Sequence, residues 1–96
     1  MAGKFTEDSR KLLAYVGGRE NIAAVSHCVT RMRFVLNDPS KADTSAIEAL
    51  PSAKGTFTQA GQFQVIIGNE VSTFYNDFVA VAGIEGVSKE AVKSAA

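Results

Sequence analysis

Arg31-Met32-Arg33-Phe34-Val35-Leu36 decides the fold. Successive side chains of a strand point to opposite faces, so this run sends Met32, Phe34 and Leu36 one way and Arg31, Arg33 and Val35 the other. The first set is a core face and the second an open face. A strand patterned in this way belongs to a sheet that is covered on one side only. Immediately upstream, Asn21-Ile22-Ala23-Ala24-Val25-Ser26-His27 reads as a weaker strand. Downstream, Asn37-Asp38-Pro39-Ser40 is a turn, because proline cannot continue a ladder and Asn and Asp favour bends.

A second strand pair follows. Gly55-Thr56-Phe57-Thr58-Gln59-Ala60-Gly61 reads as an edge strand entering a turn, and Gln62-Phe63-Gln64-Val65-Ile66-Ile67 as a strand rich in β-branched residues. Gly68-Asn69 then supplies a turn and a helix cap. Three helical patterns surround these strands. Thr6-Glu7-Asp8-Ser9 opens one, with Leu12, Leu13 and Val16 on the face of Ser9, and Gly17-Gly18 stops it. Asp43-Thr44-Ser45 offers caps to a short second helix, with Ser45 and Glu48 spaced as a capping box and Pro51 ending it. Val71, Phe74, Tyr75, Phe78, Val79 and Ala82 recur at helical spacing over about three turns, closed by Gly83. The expected fold is α+β: a two-layer sandwich, a four-stranded antiparallel sheet built from two hairpins with about three helices on one face.

The chain has 96 residues, enough for one domain, which the pattern assigns to residues 1–83. Residues 84–96 are small and polar and read as a tail or the start of a linker. Ten Lys and Arg balance ten Asp and Glu, without the basic excess of a nucleic-acid-binding module. No apolar run reaches the length of a membrane span, and the N-terminus lacks the apolar stretch of a signal peptide. A single cysteine cannot form an internal disulfide and suits a reducing compartment. With one histidine beside it, a soft-metal site is short of ligands, so neither metal nor cofactor is expected.

The candidate chemistry lies at Ser26-His27-Cys28-Val29-Thr30-Arg31-Met32-Arg33. Cys28 falls at the junction of two strands, and no acidic residue occurs from Asn21 through Asn37. His27, Arg31 and Arg33 thus form a positive patch on a neutral chain. Val29-Thr30 is a poor tight turn, since β-branched residues resist positive φ. An ordinary thiol is only about 3% ionised at neutral pH; guanidinium groups and the Thr30 and Arg31 N–H groups favour its anion. The same donors suit phosphoryl oxygens, and the Thr30 hydroxyl adds another. Two readings stand at this point. Cys28 is a nucleophile, or it is a packing residue of a non-catalytic binding or regulatory module. A thiol phosphatase is disfavoured, because its arginine follows the cysteine after five intervening residues and here the intervals are two and four.

These residues carry a resemblance. His27-Cys28-Val29-Thr30-Arg31-Met32-Arg33-Phe34 resembles the cysteine signature of IIB domains in the glucose superfamily of the bacterial sugar phosphotransferase system. Gly17-Gly18-Arg19-Glu20-Asn21-Ile22 and Gly61-Gln62-Phe63-Gln64-Val65-Ile66-Ile67-Gly68 resemble two further markers of that family, in the same order. The resemblance spans about Leu12 to Ala82 and implies the fold already read. It implies that Cys28 accepts a phosphoryl group from a phosphohistidine of IIA and passes it to a sugar held by a membrane-embedded IIC domain. Arg31, Arg33 and Thr30 would act with it, inside a turn that includes Ser26, His27 and Val29. Ser26 stands where glucose-specific members often carry an acid, which points to the sucrose, trehalose and β-glucoside branch. Lys54 to Gln64 and Phe74 to Phe78 look most like trehalose-specific members. The implied place is the cytoplasmic face of the bacterial membrane, as a domain of a permease, with residues 84–96 leading toward IIC. A second acid-free stretch, Ala49 to Asn69, is expected to pair beside the first and to dock partners, with Val29, Phe57 and Gln64 at the contact.

Overall fold

The computed structural model describes residues 3–59 and 61–83. The expected tail or linker, 84–96, lies outside the described residues. Three helices, α1 (Thr6–Tyr15), α2 (Thr44–Glu48) and α3 (Val71–Ala82), accompany four strands, β1 (Ile22–His27), β2 (Arg31–Leu36), β3 (Gly55–Gln59) and β4 (Gln62–Ile66). Short 3-10 turns at Arg19–Asn21 and Pro39–Lys41 complete the order. The strands form one antiparallel sheet in the order β1-β2-β4-β3. Both hairpins are present as expected, and β4 joins them by pairing with β2.

The alternation in β2 acts as the sequence requires. Met32, Phe34 and Leu36 are buried, while Arg31, Arg33 and Val35 stay partly exposed on the other face. Phe34 meets Phe78 of α3 edge-on at 5.4 Å, a favoured aromatic geometry. The buried stripe of α3 is Val71, Phe74, Phe78 and Ala82, and that of α1 is Ser9 and Leu12, continued by Val16 just beyond the helix. Gly83 closes α3 at φ 67°, a left-handed conformation that favours glycine.

Two cap assignments differ from the expected ones. Asp43 caps α2 by accepting from Ala46 N–H at 3.1 Å. Its carboxylate precedes Ser45 and starts the helix at Thr44, so no Ser45–Glu48 box forms. Glu48 accepts instead from the Thr56 hydroxyl at 2.7 Å, tying α2 to β3. At α3 the cap position is Glu70 rather than Asn69, and it makes no side-chain cap bond. The Glu70 carboxylate is held by Lys4 at 2.7 Å.

Asn21 anchors the end of the sheet away from Cys28. Its amide donates to the Val16 carbonyl at 2.7 Å and the Asp38 carbonyl at 3.0 Å. Its side-chain oxygen accepts from Asp38 N–H at 2.8 Å. One buried side chain thereby joins the end of α1, the start of β1 and the exit from β2.

Ser9 is fully buried, and its hydroxyl has no hydrogen-bond partner. A desolvated, unpaired hydroxyl destabilises the fold, and alanine is also the better helix former. Ser9→Ala is expected to stabilise the protein by about 1 kcal/mol, raising Tm by about 4–8 °C. An unchanged or lower Tm in a thermal melt would contradict that account.

Candidate active site

The β1–β2 connection, residues 28–30, is held from two directions. Cys28 N–H donates to the Arg31 carbonyl at 2.9 Å, closing the hairpin. The Thr30 carbonyl accepts from Ile67 N–H at 2.9 Å and from Gly68 N–H at 2.8 Å, fixing the turn to the end of β4. Gly68 has φ 108°, and a Cβ there would approach the Lys54 side chain at 3.2 Å. Glycine is therefore favoured where the chain bends away from the two amides that share this oxygen. Val29 stands at the tip, 82% exposed.

Cys28 is half-buried and free. Burial pushes its thiol up, but the N–H groups of Thr30 and Arg31 and the Arg33 guanidinium together outweigh that effect. The thiol is held below its ordinary value of 9.0. The sulfur thus lies in a small nest of amides with one cation beside it. The Nε of Arg33 is buried without a hydrogen-bond partner, so the same guanidinium brings an unused donor.

The two arginines are not equivalent. Arg31 and Arg33 share the open face, but Arg31 Nη1 donates to Gln64 Oε1 at 3.0 Å, and its guanidinium lies over the Phe57 ring at 5.6 Å. Only Arg33 reaches the thiol through its side chain. Ser26, Arg33, Gln64 and Phe57 are cross-strand neighbours in one row over all four strands.

Gln64, expected to contact a partner, is 5% exposed and already engaged by Arg31. In this structure it supports that arginine and offers little surface of its own for docking. Phe57 is 47% exposed and does remain at the surface. Ser26 is buried, and His27 is half-buried against Tyr75 of α3. The sequence reading did not foresee the roles of Gly68 or of the His27 ring. The Gly68-Asn69 pair signalled a bend, but nothing local names Thr30 as its target.

Among the described residues no cluster of His, Cys, Asp and Glu could hold a metal ion, and no helix is long and apolar enough to cross a membrane. A cleft of about 500 Å3, lined by Phe5, Pro51, Lys54, Ile67 and Glu70 among others, contains none of the residues of the cysteine turn.

A half-buried cysteine with a lowered thiol pKa, set among turn amides with an arginine beside it, is an arrangement able to hold an anionic group. Comparison with known proteins gives the family. Residues 10–43 match the phosphotransferase system EIIB family. The trehalose-specific EIIBC component of Escherichia coli K12 is 55% identical over 89 residues, covering 93% of this chain and 19% of that protein. The trehalose-specific component of Bacillus subtilis 168 is 44% identical over 94 residues, with 97% and 20% covered. A sucrose-specific EIIBC component of Klebsiella pneumoniae is 47% identical over 86 residues, with 88% and 19% covered. Among solved structures, one domain of a phosphotransferase-system IIabc component from Clostridium difficile superposes with a TM-score of 0.80 at 30% identity, covering 90% of each chain. The chain belongs to the EIIB family of the phosphotransferase system. It spans about a fifth of the length of the curated relatives it matches.

The lowered thiol value has a measurable consequence. Near neutral pH the folded protein holds more thiolate than the unfolded chain. It is expected to react faster with iodoacetamide than in urea, the difference closing as pH rises past the ordinary value of 9.0. Arg33→Ala is expected to move the reactivity midpoint upward, and Arg31→Ala to move it less, because the Arg31 contribution comes from its backbone. Equal shifts in the two variants would refute the division between the arginines.

Proposed function

We propose that this domain is the phosphoryl carrier of a sugar-transporting phosphotransferase system, and that Cys28 bears the group. The observation that carries the reading is the Cys28 sulfur set among the Thr30 and Arg31 amides and the Arg33 guanidinium. A half-buried thiol with a lowered pKa supports this role over that of an inert packing cysteine.

The first step is attack of the Cys28 thiolate on the phosphorus of a phosphohistidine of IIA. The S–P bond forms as the N–P bond breaks, and the electron pair of that bond returns to the imidazole nitrogen. In the second step a sugar hydroxyl held by IIC attacks the same phosphorus. The O–P bond forms, the S–P bond breaks, the sulfur leaves as thiolate and the hydroxyl proton passes to a base at the sugar site. Each step spreads negative charge over the equatorial phosphoryl oxygens, so preplaced donors matter more than new covalent chemistry. Arg33, with its unused Nε, and the turn amides face the sulfur side. The Thr30 hydroxyl is a further donor in the same turn. Arg31, held by Gln64 and Phe57, presents a fixed cation to the partner that delivers or receives the group.

The relatives point to trehalose as the sugar. The domain would work at the cytoplasmic face of the membrane, with residues 1–83 as the carrier and 84–96 leading toward IIC. Val29 and Phe57 are the exposed apolar side chains beside the site and would contact IIA and IIC in turn, in weak and exchangeable docking.

The test is transfer of labelled phosphate from phosphorylated IIA. The wild-type domain is expected to take one phosphoryl group per chain and Cys28→Ser none; equal labelling of both would remove Cys28 from the mechanism. With membranes containing IIC, Arg31→Ala and Arg33→Ala are each expected to slow sugar phosphorylation by on the order of 10²-fold while the fold is kept. Normal rates in both variants would remove the arginines.

A further inference from the structure

The cysteine turn lacks one hydrogen bond that its length calls for. In a hairpin with two residues between the paired positions, the flanking residues exchange two backbone bonds, one in each direction. Cys28 N–H donates to the Arg31 carbonyl at 2.9 Å, but among the described backbone bonds the reciprocal one, from Arg31 N–H to the Cys28 carbonyl, is missing. The Cys28 carbonyl faces Nδ1 of His27 at 2.9 Å instead. A carbonyl only accepts, so this contact places a hydrogen on Nδ1. The imidazole is seated by α3: its centroid is 4.8 Å from that of Tyr75, with the rings tilted by 54°. The Tyr75 hydroxyl in turn reaches the Val25 carbonyl of β1 at 3.4 Å.

We propose that His27 is a positioning residue for the cysteine turn: its Nδ1–H takes the place of the Arg31 amide on the Cys28 carbonyl and leaves that amide to face the sulfur. One N–H cannot be well aligned on a carbonyl and on a thiolate at once, so an alternative donor for the carbonyl has to exist if the amide is to serve the sulfur. The Arg31 N–H is among the groups that hold the thiol low, so the exchange has an electrostatic result. Because Nδ1 carries a hydrogen in the required neutral tautomer and in the imidazolium alike, the contact survives protonation of the ring. The value of the device for phosphoryl transfer rests on Cys28 being the carrier; the geometry of the turn does not.

Two substitutions separate the N–H from the ring. His27→Phe keeps an aromatic ring against Tyr75 and has no donor. His27→Asn keeps a donor near the place of Nδ1 and has no ring. The readout is the pH profile of Cys28 alkylation in the full chain, with circular dichroism to report folding. The Phe variant is expected to shift the midpoint upward by about half to one pH unit and to slow alkylation at pH 7 about three- to tenfold. The Asn variant is expected to stay within about twofold of the parent. A Phe profile that superimposes on the parent's, or an Asn profile shifted as far as that of Phe, overturns the proposal. The imidazole 15N resonances of the unsubstituted protein give an answer that needs no variant: Nδ1 protonated and Nε2 bare is expected for the neutral ring, and the opposite tautomer is the contrary result. Labelling of the parent by phosphorylated IIA keeps the two readings apart. An unlabelled parent with shifted variants sinks only the carrier role, and a labelled parent with unshifted variants sinks only this one.

Discussion

The Thr30 carbonyl oxygen accepts two hydrogen bonds, from Ile67 and Gly68, and the cysteine turn owes its shape to that junction. A connection containing Val29 and Thr30 has poor local reasons to bend. Its conformation is imposed from the neighbouring hairpin. The pairing of β4 with β2 brings Ile67 and Gly68 to the turn, where both amides meet one acceptor, and the positive φ of Gly68 lets the chain leave that junction toward α3. Local preference and final structure disagree here, and the disagreement is settled by a tertiary contact at the candidate site.

From that junction the electrostatics follow. Once Thr30 is fixed, its own N–H and that of Arg31 converge on the Cys28 sulfur, and the outward alternation of β2 brings Arg33 to the same place. Burial alone would make Cys28 an unreactive thiol. Three fixed donors reverse the sign. Arg31 is kept out of this group by Gln64 and Phe57, so the site holds one cation at the sulfur and a second at a set distance on the open face. Under the proposed carrier role such spacing would suit a phosphoryl group passing between two proteins, because charge develops on both sides of the phosphorus.

Much of this was legible in the sequence. The period of two in β2 and the helical period of α3 specified the core, since both patterns are dictated by backbone geometry. The two glycine-terminated helices and the hairpin order followed from turn chemistry. What escaped were contacts between residues far apart in sequence. Gln64 was expected at a partner contact; in the structure it is buried and bonded to Arg31, 33 positions away in the chain. Asn21 was visible only as part of a motif, and its links to both Val16 and Asp38 depend on where β2 ends. The Ser45–Glu48 spacing was a true capping pattern, overruled by an aspartate two residues earlier. Cys28 was singled out by its place at a strand junction in an acid-free stretch and by the family resemblance, but whether both arginines reached it was a question of side-chain direction that spacing cannot answer.

The direction of α3 has its own consequence. The helix starts beside the junction with Thr30 and runs for 12 residues, about 18 Å, before Gly83 ends it next to Arg19. The cysteine turn and the start of β1 thus sit at the two ends of one helix, and α3 ties them together as a single strut.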